Sequence, residues 1–104
     1  MQASAEIVVK FKDDAAVKPI IDLFWTAPEA AKARFDEFKK GHPVVAMATL
    51  ARATYSGELV LSFPSNAATP AERLKAARDL AARLSASPDI SYAEPDFSFS
   101  TGSG

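Results

Sequence analysis

The residues whose types and spacing point most directly to chemistry are two carboxylates flanking a proline, Glu94-Pro95-Asp96. From an extended backbone, side chains at i and i+2 leave on the same face, so both carboxylates would point one way. The plain reading is a solvated turn after an edge strand. The sharper reading is an anion pair that caps the exposed N-termini of two helices on a partner, where orphan N–H groups and the positive end of the dipole attract negative charge. Spacing alone does not choose between them. The single histidine, His42, lies between Gly41 and Pro43. It is read as an exposed loop residue rather than a catalytic or metal-binding one, because nothing nearby supplies a partner for acid–base or ligand chemistry. No nucleophile-elbow motif accompanies it, so no serine-hydrolase triad and no enzymatic activity are expected.

Composition narrows the classes further. With no cysteine there is no thiol nucleophile, no cysteine-based metal or iron–sulfur site and no redox switch, and no cofactor or metal is expected. A formal net charge of −1 lacks the basic excess that nucleic acid or an anionic membrane selects. No apolar run approaches the roughly 20 residues that span a bilayer. Met1-Gln2-Ala3-Ser4 carries no basic segment leading into an apolar one, so a secreted form would have lost its signal peptide. The 104 residues, 48% hydrophobic and 24% charged, suffice for one globular core without metal or disulfide staples. The expected organisation is a flexible N-terminus at 1–4, one domain over 5–100, and a flexible tail or linker at 101–104.

The elements that must position the acidic pair follow from periodicity. From Ala5 to Lys12, Ile7, Val9 and Phe11 alternate with Glu6, Val8, Lys10 and Lys12, the pattern of a half-buried strand. Asp13 to Trp25 contains Pro19 and the apolar cluster Ile20, Ile21, Leu23, Phe24 and Trp25, and is read as a long, partly buried connection. Its cluster is read as cover for the core. Thr26-Ala27-Pro28-Glu29 fits a capping box that opens a helix with Ala27, Ala31, Phe35 and Phe38 on one face. The helix is expected to end near Lys40, with Gly41 in the left-handed position after it. Val44 to Tyr55 and Glu58 to Phe63 flank a tight Ser56-Gly57 turn and read as a β-hairpin. Thr69-Pro70-Ala71-Glu72 repeats the capping box with proline in the first helical position. The helix it opens places Leu74, Ala77, Leu80, Ala81 and Leu84 on its apolar face. Ser87-Pro88-Asp89 stops that helix, and Ile90 to Ala93 forms a last short strand.

The order β-α-β-β-α-β predicts an α+β, ferredoxin-like split β-α-β sandwich, with two helices on one face of a four-stranded antiparallel sheet. The fold carries many unrelated activities. Acylphosphatases share it and use an arginine in the loop after the first strand, whereas residues 13–25 contain none. RNA-recognition domains use paired aromatics on the central strands, a signature this chain lacks; Phe11 and Phe63 are read as core.

At its two ends the sequence resembles the propeptide inhibitors of subtilisin-like serine proteases. Ile7-Val8-Val9-Lys10-Phe11-Lys12 resembles that family's opening strand. Ser87-Pro88-Asp89-Ile90-Ser91-Tyr92-Ala93-Glu94-Pro95-Asp96 is similar to its closing segment, an aromatic in a short strand followed by an acidic pair. The resemblance spans about residues 5–100, and the middle agrees in element order. It implies a secreted or periplasmic prodomain, monomeric when free, that helps its protease fold and then inhibits it, with Glu94 and Asp96 capping two helices of the protease. It further implies that Phe97, Ser98, Phe99, Ser100, Thr101 and Gly102 run through the substrate cleft by β-augmentation. Phe99 would then approach the fourth subsite before the cut and Gly102 the first. The 13–25 connection would be an extra turn or a site of later cleavage. A free-standing inhibitor acting in trans and a ferredoxin-like adaptor for an unrelated protein are the alternatives.

Overall fold

The computed structural model describes residues 4–65 and 68–96. The alternation at the start of the chain becomes strand β1 (Ser4–Phe11), in which Ala5, Ile7, Val9 and Phe11 are buried. Helix α1 (Asp14–Thr26) follows, where a connection was expected. Val17, Ile20, Ile21 and Phe24 fall at i, i+3, i+4 and i+7, the stripe of an amphipathic helix. Pro19 obscures that stripe in the sequence, yet it sits in the second turn, where its missing N–H forfeits one bond only. The Asp13 carboxylate compensates at the start by accepting from the Ala16 amide at 3.2 Å. As expected, most of the cluster covers the core, with Val17 and Ile20 buried and Ile21, Leu23 and Phe24 packed against it. Trp25, by contrast, is 46% exposed.

Helix α2 (Pro28–Phe38) starts within two residues of the expected point but is capped differently. Thr26 is the last residue of α1, and its hydroxyl donates back to the Leu23 carbonyl at 3.5 Å. The N-cap is Ala27, whose extended φ of −148° suits a residue before proline and which offers no side-chain acceptor. Ala31 and Phe35 are buried and Phe38 partly so, as the spacing predicts. Gly41 is not left-handed: it closes a 3-10 turn over Lys39–Gly41, and a second such turn covers Pro43–Val45.

Strand β2 is therefore shorter than expected, Thr49–Ala53, and pairs with β3 (Leu59–Pro64) around the predicted turn, where Gly57 has φ +85°. Helix α3 (Pro70–Ser85) opens on the complete capping box, with Thr69 Oγ accepting from the Glu72 amide at 3.1 Å and Glu72 Oε1 from the Thr69 amide at 3.2 Å. Ala77, Ala81 and Leu84 are buried, but Leu74, one turn closer to the N-terminus, is 37% exposed. Strand β4 (Ile90–Pro95) completes the sheet.

The strand order is β2-β3-β1-β4, and every neighbouring pair is antiparallel. This is the split β-α-β sandwich, with its helices on one face. The first crossover holds two helices, so the layer has three rather than the expected two. Between helices and sheet lie Ile7, Val9, Phe11, Phe35, Leu59, Leu61, Phe63 and Leu84, all buried, including both phenylalanines assigned to the core.

Candidate functional site

Among the described residues, the opposite face of the sheet carries no helix. Register places Glu6, Val8 and Lys10 of β1 there, with Val60 and Ser62 of β3 and Tyr92 and Glu94 of β4 beside them. Glu94 lies opposite Val8 and is exposed. Asp96, two residues on, sends its carboxylate over the same face, so the two acidic groups do share a side as their spacing predicts. Their surroundings differ. Asp96 is 8% exposed, its amide donates to the Glu6 carbonyl at 2.8 Å, and its carboxylate is ion-paired with Arg52. The same guanidinium reaches Glu6 Oε1 at 3.2 Å. Asp96 is thus nearly buried and ion-paired, whereas Glu94 is exposed.

Arg52 reaches that face because β2 is irregular. Strict alternation would put Arg52 on the side of Leu50. A bulge between Leu50 and Arg52 sets two residues of β2 against Val60, so that Leu50 and Ala53 both enter the core and Arg52 turns outward. Val60, directly opposite Arg52, is 1% exposed although it lies outside the helix-side core. The sequence reading missed Arg52. The available signal was a lone arginine inside an apolar stretch, and the bulge hid which way it would point.

Farther along the face, Tyr92 donates its hydroxyl to Glu58. The hydrogen bond to Glu58, then burial and the negative charges of Glu58 and Glu94, push the Tyr92 phenol up to about 12, because each disfavours the phenolate. At the outer edge of β4 the Ser85 hydroxyl of α3 accepts from the Ala93 amide at 3.1 Å and donates to the Ala93 carbonyl at 3.2 Å. That contact occupies the edge backbone groups at this position.

His42 is not an exposed loop residue. Its ring stacks on Phe38 with centroids 4.3 Å apart, meets Phe11 edge-on, and places Nδ1 3.3 Å from Asp89 Oδ2. These contacts fasten the end of α2 to the turn before β4. A concave region of about 420 Å³ lies between α1 and the β2–β3 turn. There Trp25 stacks parallel on Tyr55 at 4.5 Å, and Lys10 pairs with Asp14 at 2.8 Å.

Among the described residues there is no group of three side chains that could hold a metal ion, and no helix long and apolar enough to cross a membrane. Phe97, Ser98, Phe99, Ser100, Thr101 and Gly102, assigned to the protease cleft, lie outside the described residues. Comparisons of the chain with protein-family models, with curated proteins and with solved structures give no match.

Proposed function

We propose that this chain is the inhibitory and folding-assisting prodomain of a subtilisin-like serine protease, or an inhibitor of the same kind acting in trans. The domain docks through the helix-free face of its sheet, and residues 97–102 enter the substrate cleft as a product-like strand. The observation that carries the reading is the route of the chain. Strand β4 brings Glu94, exposed, onto the open face, and Asp96, from which the sequence continues, lies over the same face. An unhelixed sheet face with an adjoining segment suits a partner that accepts both a flat surface and an extended strand. Binding that favours the folded protease over its unfolded chain stabilises it by mass action, so inhibition and folding assistance follow from one interaction.

The test is inhibition of a subtilisin by the purified chain, by the Glu94→Ala variant and by a form ending at Asp96. The proposal predicts loss of most inhibition without residues 97–104 and weaker binding on losing the Glu94 carboxylate. Wild-type potency in both altered forms would refute the site. An adaptor for an unrelated protein would instead keep its binding after trimming.

A further inference from the structure

Resting on that reading, we infer that Arg52 is a positioning residue: by clasping Asp96 it sets the point and direction at which the chain leaves the sheet, and so presents residues 97–102 to the protease. The acidic pair then divides its work. Glu94 is the carboxylate that meets the partner, and Asp96 is an internal anchor.

The geometry behind this lies at the two edges of the sheet. β2 and β4 are the outermost strands, separated by β3 and β1. Arg52 on one edge reaches across the open face to the residue just past the end of the other, meeting Glu6 of β1 on the way. Pro95 has no N–H to donate, but it lies opposite Ile7, between the hydrogen-bonded positions, where that group would face away from β1. Asp96 is fastened twice, by its amide to the Glu6 carbonyl at 2.8 Å and by its carboxylate to Arg52. A charge-assisted bond to a nearly buried carboxylate holds a chain end more firmly than a neutral backbone bond alone. The bulge in β2 serves this contact, because a regular strand would aim Arg52 into the helix side. To meet a helix of the partner as well, the nearly buried Asp96 would have to do so while its Oδ2 stays engaged by Arg52. Glu94 has only to stay where it is, exposed on the same face.

The test uses the full chain with Arg52→Gln, Asp96→Asn and the two combined. Two quantities are measured: amide hydrogen exchange at Asp96 against Val9 and Leu61 in the core, and the inhibition constant against a subtilisin. The expected result for Arg52→Gln is faster exchange at Asp96, by about tenfold, with Val9 and Leu61 unchanged, and inhibition weakened by about tenfold. Asp96→Asn should reproduce both, and the double variant should be little worse than either single one, because both remove the same contact. Either single variant serves if the other fails to fold. Unchanged exchange at Asp96 would overturn the clasp. Faster exchange with wild-type inhibition would overturn the positioning role. A wild-type chain that inhibits no subtilisin would overturn the protease reading and the positioning role with it, while the exchange comparison still decides the clasp.

Discussion

Tyr92 offers the sharpest view of how single residues are set on the open face. Its hydroxyl donates to Glu58, and only the neutral phenol can do so. The phenol is raised to about 12 in the folded chain, against about 10 when unfolded. Its contribution to stability is therefore fully present below about pH 10 and is lost as pH climbs toward about 12. Ultraviolet titration should show one of the two tyrosines ionising late, and Glu58→Gln should bring that step down. A late step that survives Glu58→Gln would contradict the assignment. Gly57 is the other residue whose identity the backbone dictates. Its φ of +85° is costly for any residue with a Cβ, and an added Cβ would stand 2.9 Å from Lys10 Nζ. Gly57→Ala should cost about 1–2 kcal/mol in denaturant unfolding, most of it conformational, since the lysine tip can move aside. The acidic pair was legible as a pair, but what holds Asp96 was not. The deciding residue, Arg52, is 44 positions away and faces outward through a bulge that strict alternation denies.

At the scale of elements, the two capping boxes make a controlled comparison. Thr69 and Glu72 form the reciprocal cap of α3 in full. The box at Thr26 fails, because the chain is still helical at Thr26 and breaks one residue later, before Pro28. Thr69→Ala should destabilise the domain by about 1 kcal/mol, and Ala27→Ser, which supplies the missing acceptor at the N-cap of α2, should stabilise it by about 0.5–1 kcal/mol. Thermal or denaturant unfolding checks both; a stabilising Thr69→Ala or a strongly destabilising Ala27→Ser would contradict the cap assignments. The same comparison explains which elements could be read in advance. β1 and α3 were clear because their periodicity is unbroken and their ends carry agreeing signals. α1 was hidden by Pro19, although its stripe of Val17, Ile20, Ile21 and Phe24 was present. β2 was overextended because Val44 and Val45, β-branched residues that favour strands, lie instead in the 3-10 turn Pro43–Val45. Ser85 adds a second element-scale device by satisfying Ala93 at the sheet edge, where an unpaired strand otherwise invites pairing with another chain. Under the proposed function this favours a partner that takes the tail into its own cleft over one that extends this sheet.

For the molecule as a whole, the described residues form one helix layer, one sheet and a sheet face that none of those helices covers. The fold could be derived because element order, right-handed crossovers and alternation agree on one topology. The function could not be derived from the fold, since a surface records what it touches only through its own chemistry. Here that chemistry is acidic and stiffened: Glu6 and Asp96 hold Arg52, Glu58 accepts from Tyr92, Glu94 is exposed, and the ion pair fixes the residue that follows the last strand. The proposed function treats the face and the segment beyond it as one binding unit. Its most direct test is steady-state inhibition of a subtilisin by the full-length chain, with substrate concentration varied. The account predicts inhibition competitive with substrate at micromolar concentration or below, because the tail and the substrate would occupy the same cleft. Absence of inhibition of any subtilisin-like enzyme at micromolar concentration, or inhibition indifferent to substrate, would contradict it.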